Sequence, residues 1–581
     1  MIKYYLNSCL FFVTLISTSN IYANEKPNES LAHALSMTNT SISTNRHLDS
    51  FRFSPLGELN SPVPVECHPL EFINQSIENH QSAIDFAKST KEYFNHCERY
   101  FIKGNKQGLT GLMLFENVSY RLDENPQIQK TVHTLSDGTK IDALIGVKDL
   151  IKKRPWVILK CGVFCDINKS STSLNFIINL FDQSPFNIIV LSNDTGIKHI
   201  QSNETLKLGG YYESYDYFDV ANWLRSESPY KNTIDSIHAV GFSLGGAAAL
   251  GVSYLSHSYN SNYGNNLINS SIAVCPVVNL EPTLKDIYSD SIKGKISVPI
   301  TWKYLREVAP YLNQAKDYLA RKYPPDVGEF PNMLAQISLR YGNAWDAAKP
   351  PGRELPILNS LNEFYERNNF SKYINPSVIP TFVWASVDDS VVNFQINTKT
   401  LMEQKVPDLN LGALALTEGN HCAFDTSYGY TVTTSILQSF IINNSPNFKS
   451  HYMINQLYLP QLSQIKFSNS AVHLRQWWIA KNNSDQLNLV FETFDPLIKS
   501  DRKNINCNTV LPLQSPNQCR KLYKQEIPIS VFSNLKLLTP QNQTQAEMLS
   551  RKLNGFLRVT NNYIPIDGTL LQPLHVTWRT F

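Results

Sequence analysis

The feature that most constrains this chain is a serine framed by glycines and set between two contrasting segments. Ile237-His238-Ala239-Val240 runs as a largely apolar strand into Gly241-Phe242-Ser243-Leu244-Gly245-Gly246, and Ala247 to Leu250 continue as small, helix-forming residues. A strand that passes directly into a helix must turn sharply, and the turn projects the serine oxygen above the sheet edge. Gly241 and Gly245, two residues either side of Ser243, leave room for chain and helix to approach. The helix N-terminus behind the serine directs positive potential and free N–H groups at any oxyanion formed there, the Leu244 N–H among them. A structural serine in a glycine-rich turn would carry the same five residues, but the strand before and the Gly-Ala helix after make that coincidence small.

A nucleophilic serine needs a base, and the base needs an orienting acid. Downstream, Pro380-Thr-Phe-Val-Trp-Ala-Ser-Val runs as an apolar strand into Asp388-Asp389, which places a carboxylate at the strand's C-terminal edge. Leu411 to Leu416 reads as another strand, followed by Thr417-Glu418-Gly419-Asn420-His421-Cys422. A histidine on a loop just past a strand reaches the same edge. The chain order is therefore serine, acid, histidine.

These three segments resemble the α/β-hydrolase family, over a stretch from about Gly111 to Ile442. Leu208-Gly-Gly-Tyr-Tyr-Glu213 to Trp223-Leu224 also resembles the helix that precedes the elbow there. The resemblance implies Ser243 as nucleophile, His421 as general base and Asp389 as the acid. Asp388 is the rival for the acid, with Ser386 and Val392 fitting Asp389 better. It also implies an oxyanion hole built from the backbone N–H groups of Leu244 and Val163. Family members commonly carry His-Gly where this chain has Cys161-Gly162, a departure that touches the geometry of the second donor.

Around this centre the rhythm of the sequence suggests an α/β class fold. Short apolar runs at Trp156–Leu159, Asn187–Leu191, Ile237–Phe242, Ser271–Val274 and Thr381–Trp384 alternate with helical stretches, the pattern of a mostly parallel buried sheet. Strand-like residues at Gly111–Leu122 precede a hairpin expected around Asp137–Gly138, and one or two helices are expected between Glu66 and Tyr100. From about 278 to 369 the alternation stops, and Trp302, Tyr304, Leu305, Tyr311, Tyr318 and Leu319 recur at helical spacing, as in a cap or lid. After Pro446 the runs Leu487–Phe491, Ile527–Phe532, Phe556–Val559 and Pro573–Trp578 read as strands, with a short helix at Leu549–Leu553. The expected organisation is a signal peptide at 1–23, a loose segment and helical region at 24–110, a catalytic domain at 111–445 and a β-rich accessory domain at 446–581.

Lys3, the apolar run Leu10–Ile16 and Ala23 before Asn24 have the form of a secretory signal, and the run is too short to span a bilayer. Export to the periplasm or beyond follows, with no transmembrane segment. Eight cysteines then remain. Cys67–Cys97 and Cys507–Cys519 would each close a short loop, Cys161 and Cys165 are a further candidate pair, and the connectivity is open. Paired CxxC motifs and HxxxH spacing are missing, so no metal or cofactor is expected. A net charge of +3 without a basic tract gives no reason to expect a nucleic-acid partner. Cys422 reads as a buried or bridged thiol, His238 as a core histidine, Glu213 and Asp216 as acids near a helix start, and Trp477–Trp478 as packing. A serine hydrolase of small-molecule or lipid acyl esters is the leading expectation. A serine peptidase or acyltransferase on the same triad is the first alternative. A non-catalytic binding protein is the second, its β-rich domain being the candidate surface for membrane or envelope contact.

Overall fold

In a computed structural model of the chain, the structure describes residues 82–100, 128–148, 153–167, 184–263, 267–312, 315–346, 358–372, 379–403, 410–428 and 430–449, a few isolated positions beside them, and seven C-terminal strands. The expected signal peptide, the 24–60 segment, the Gly111–Leu122 run, the Leu549–Leu553 helix and the Cys507–Cys519 pair lie outside the described residues.

An eight-stranded sheet organises the chain, in the order β1-β2-β4-β3-β5-β6-β7-β8. Its strands are β1 (Ile128–Thr134), β2 (Lys140–Gly146), β3 (Arg154–Lys160), β4 (Asn187–Leu191), β5 (Ile234–Phe242), β6 (Ser270–Val274), β7 (Thr381–Ser386) and β8 (Leu411–Leu416). β1 and β2 form the expected hairpin, Thr134 opposite Lys140, with Gly138 at φ 85° in the turn. From β4 through β8 all pairings are parallel. Strands buried on both faces carry near-continuous apolar runs, and β3 shows how each face is served. Val157 and Leu159 join one cluster with Phe382, Trp384 and Phe440, while Trp156 and Ile158 join another with Phe218, Leu224 and Ala248.

Helices cover both faces. α1 (Ala83–Cys97) starts at Ser82, whose hydroxyl accepts from the Asp85 N–H, and its Phe86 ring meets Phe382 and Phe440 at 5.0 and 5.1 Å. Cys97 at its end is disulfide-bonded to Cys67. α2 (Ile197–Asn203) and α3 (Gly210–Ser226) follow β4, and α4 (Leu244–Tyr263) follows β5. Between β6 and β7 the chain forms α5 (Leu280–Ile287), α6 (Ile292–Val308), α7 (Lys316–Leu319), α8 (Phe330–Asp346) and α9 (Leu361–Arg367). Leu284, Tyr288, Trp302, Leu305, Phe330 and Leu334 from this helical stretch share one apolar cluster with Leu244 and Val277.

The C-terminal part is a seven-stranded antiparallel sheet in the order β12-β11-β10-β14-β15-β9-β13. Its strands are β9 (Met453–Leu459), β10 (His473–Lys481), β11 (Leu487–Phe494), β12 (Leu522–Pro528), β13 (Lys536–Thr539), β14 (Phe556–Thr560) and β15 (Leu574–Thr580). The run expected at Ile527–Phe532 falls earlier, as β12, where Phe494 opposite Leu522 and Asn488 opposite Pro528 set the pairing. Trp477 and Trp478 lie in β10 opposite Phe491 and Val490.

The sheet order brings the chemistry together. β3 and β5 are neighbours with Lys160 beside Gly241, so the loop after β3 and the turn after β5 leave the sheet side by side. β6, β7 and β8 end along the same edge, where loops of open α/β sheets carry sites.

Candidate active site

Ser243 stands between β5 and α4 with φ at 57°, in the left-handed region that a side chain rarely adopts. Its N–H donates to the Val274 carbonyl at 2.9 Å and its carbonyl accepts from Ala247 at 3.0 Å, which ties the turn to both β6 and α4. The flanking glycines are required by close approach. A Cβ on Gly241 would overlap the Gly245 carbonyl, and one on Gly245 would overlap the carbonyls of Lys160 and Cys161. Strain of this kind persists only where the surroundings over-determine it.

His421, five residues beyond β8, points its Nε2 at Ser243 Oγ, 2.9 Å away. Its Nδ1 lies 2.9 Å from Asp389 Oδ2 and 3.2 Å from Oδ1. Asp389 Oδ1 also accepts from the N–H groups of Val391 and Val392, at 2.9 and 2.8 Å. Asp388 turns the other way and accepts from the Asn420 N–H at 2.8 Å. Ser243 and Asp389 are buried, and His421 is 13% exposed at its side chain. Cys422, next to the histidine, is bridged to Cys275 at the end of β6, with Cα atoms 5.5 Å apart.

The loop after β3 closes the site from the other side. A Cβ on Gly162 would lie 3.0 Å from Ser243 Cβ and 3.5 Å from its Oγ, so this loop rests against the serine. Cys161 and Cys165 are joined across it. Neither Val163 N–H nor Leu244 N–H has an acceptor among the described residues. Beside them opens a pocket of about 650 Å³, counting space open to solvent, whose walls include Leu208, Leu244, Leu280, Leu284, Ile287 and Tyr288. Ser243, Thr195 and Thr283 are among its few polar lining residues, and none of the lining residues is charged.

The fold is that of an α/β-hydrolase. No protein-family model and no curated protein matches the sequence. Among solved structures, the chain is similar to the 2,6-dihydroxy-pseudo-oxynicotine hydrolase at 14% identity, over 54% of this chain and 68% of that one, with a TM-score of 0.33. It is similar to an esterase of Pyrococcus furiosus at 14% identity, over 54% and 91%, with a TM-score of 0.32. It is also similar to oligopeptidase B from Leishmania major at 13% identity and a TM-score of 0.33, over 55% of this chain and 36% of that chain.

One group of residues escapes sequence reasoning. Lys160, the last residue of β3, is fully buried, and its ammonium faces Asp194 at 2.9 Å, Glu213 at 3.1 Å and Asp216. Glu213 stands in the first turn of α3, near the helix start as the sequence suggested, and it and Asp216 are also buried partners of a lysine. Burial drives the Glu213 carboxyl up to about 8, and the Asp216 carboxyl up to about 7 with Asp194 adding to the rise. Burial opposes the ionised form of Asp194 too, but Lys160, His199 and Lys207 hold it below the usual carboxylate range. The signal was present: a lysine closing the run Trp-Val-Ile-Leu, and the polar Ser192-Asn193-Asp194-Thr195 after β4.

His238 lies in the core, bonded through Nδ1 to Ser270 and through Nε2 to Ser236 and Ser445, and burial lowers it to about 3. Among the described residues, two places bring Cys and His ligand atoms together, Cys67/His96/Cys97 and Cys275/His421/Cys422, but in both the sulfurs are joined to each other. Three disulfides among the described residues are the chemistry of an oxidising compartment. No helix among the described residues is long and apolar enough to cross a membrane.

Proposed function

We propose that this chain is an exported serine hydrolase that cleaves carboxylic esters of apolar acyl groups through an acyl-enzyme. The observation that carries the reading is the unbroken line from Asp389 through His421 to Ser243 Oγ, opening on a pocket without charged walls. His421 takes the hydroxyl proton as Ser243 attacks the ester carbonyl, and Asp389 keeps Nδ1 protonated and balances the imidazolium. The tetrahedral oxyanion is received by the N–H groups of Leu244 and Val163. His421 then protonates the leaving alkoxide, and water resolves the acyl-enzyme by the same route in reverse.

The pocket favours an ester over a peptide. An apolar acyl chain gains by leaving water, whereas a charged peptide terminus would lose its hydration there and meet no opposite charge among the lining residues. The disulfides support work outside the reducing cytosol.

The test is labelling with a tagged fluorophosphonate, followed by turnover of p-nitrophenyl esters and of aminoacyl amides. Wild type should take the label and prefer esters, and Ser243→Ala and His421→Ala should lose both activities. The Ser243 variant is expected to fall by about 10⁶-fold, down to what binding alone achieves. Folded wild type that takes no label would remove the catalytic reading, and a preference for amides would remove the ester.

A further inference from the structure

The loop that offers the Val163 N–H carries an unusual load. Phe164 has φ at 59°, a left-handed conformation that a bulky side chain adopts only under constraint. Gly162 is pressed against Ser243, so a displacement here moves the donor relative to the serine. The disulfide and the Cys165 N–H bond to the Gly162 carbonyl, at 3.2 Å, tie the loop to itself but do not anchor its middle to the rest of the fold.

What holds the middle is the polar segment after β4. The Phe164 N–H donates to Thr195 Oγ1 at 2.6 Å. That hydroxyl donates in turn to Asn193 Oδ1, which also accepts from the Thr195 N–H at 3.0 Å. Asn193 reaches both ends of the loop: its Nδ2 donates to the Cys161 carbonyl at 3.2 Å, and its N–H donates to the Cys165 carbonyl at 3.2 Å. Its Nδ2 also donates to Glu213, at 2.9 and 3.1 Å, which seats the asparagine on the Lys160 cluster. From the cap side, the Tyr304 hydroxyl donates to the Thr195 carbonyl, and its ring lies 4.3 Å from the Phe164 ring. Every hydrogen-bonding role of Thr195 is thereby assigned, and the group is buried. A fully satisfied buried network of this kind has one arrangement, because any other leaves polar groups unpaired.

We infer that Thr195 and Asn193 are positioning residues for the oxyanion loop, fixing the direction of the Val163 N–H through the Thr195 hydroxyl's hold on Phe164. The inference deepens the serine-hydrolase reading and rests on it for its kinetic part. A misplaced donor weakens the transition state and leaves ground-state binding of the acyl chain in place, so the loss falls on kcat and not on KM.

The experiment compares wild type with Thr195→Val, which keeps the shape and removes the hydroxyl, and Thr195→Ser, which restores it. Thr195→Val should lower kcat on p-nitrophenyl butyrate by about 10- to 100-fold with KM within about twofold, since small misplacements in a site have effects of that size. Fluorophosphonate labelling should slow in parallel, and Thr195→Ser should recover to within about threefold of wild type. Amide hydrogen exchange of segment 161–166 is measured on the same proteins. It should be at least about 10-fold faster in Thr195→Val than in wild type and Thr195→Ser, with exchange in β3 and β5 unchanged. Unchanged exchange in this segment, a loss confined to KM, or equal defects in both variants would overturn the inference. If wild type neither turns over esters nor takes label, the hydrolase reading fails, and the exchange measurement alone decides whether Thr195 holds the loop.

Discussion

The two sides of the loop Cys161–Cys165 could hardly differ more. On one side, the pocket beside Ser243 has no charged lining residue and is walled by leucines, an isoleucine and a tyrosine. On the other, Lys160, Asp194, Glu213 and Asp216 are packed out of water within ion-pair distance. The apolar side tolerates variation in what fills it, because dispersion and hydrophobic burial have no direction. The charged side tolerates almost none, because each buried ion needs its partner at a fixed place. The ester hydrolysis proposed above would use both properties, one on each face of the same loop: room for a flexible acyl group and a rigid hold on the N–H donor.

The sharpest way to break this contrast is to remove the cation. Lys160→Met keeps most of the side chain's length without its charge and leaves three buried carboxyls without their common partner. We expect a loss of about 3–5 kcal/mol of stability, the usual cost of orphaning one side of a buried ion pair. The midpoint of urea unfolding measures it. A loss under about 1 kcal/mol would mean the cluster relaxes or takes up protons without strain.

Filling the apolar side should have a smaller and more selective effect. Leu284→Trp adds bulk to the pocket wall, and kcat/KM for decanoyl esters should fall by about 10- to 100-fold while acetyl esters change little. Equal losses on both would show that the acyl chain lies elsewhere.

The smallest effect is one of pH. Glu213 in the fold holds its proton up to about 8, against an ordinary value of 4.5, so across that range the unfolded chain has released a proton that the folded chain keeps. Stability therefore falls as pH rises from about 4.5 to 8, and Asp216 acts in the same direction up to about 7. His133, His199 and His238, lowered to about 4, 4 and 3, oppose this while the unfolded chain gains protons around their ordinary 6.5, an effect that has faded by about pH 7.5. The carboxyl contribution is thus isolated between about 7.5 and 8.5, with a slope of about 1 kcal/mol per pH unit. Glu213→Gln should flatten it in unfolding curves taken at pH 7.5, 8.0 and 8.5; a slope unaltered by the substitution would assign the titration to another group.

Much of the scaffold was legible before any coordinates. β4 and β8 fall at Asn187–Leu191 and Leu411–Leu416, as their apolar runs predict, and the Asp137–Gly138 turn joins β1 to β2. The helical stretch between β6 and β7 was visible as the place where alternation stops. In the C-terminal part, β9 and β10 were missed because adjacent polar residues interrupt their period, as Asn455 and Gln456 do in β9, and β13 because it is only four residues long. Cys422 was read as a buried or bridged thiol, but its partner Cys275 was not identified, since 147 residues separate the two.

The sequence by itself determined what is local: strands from apolar runs, the elbow from glycines two residues either side of Ser243, and the chain order of serine, aspartate and histidine. These follow from sterics and periodicity within a few residues. Only the tertiary structure shows Asp389 facing His421 and Asp388 facing the Asn420 N–H, although the two are neighbours in the chain. It alone joined Lys160 to Asp194, Glu213 and Asp216, residues 34 to 56 positions away. Charges that pair across such distances leave no period in a sequence, and an acid buried against a lysine is spelled the same way as an acid in water.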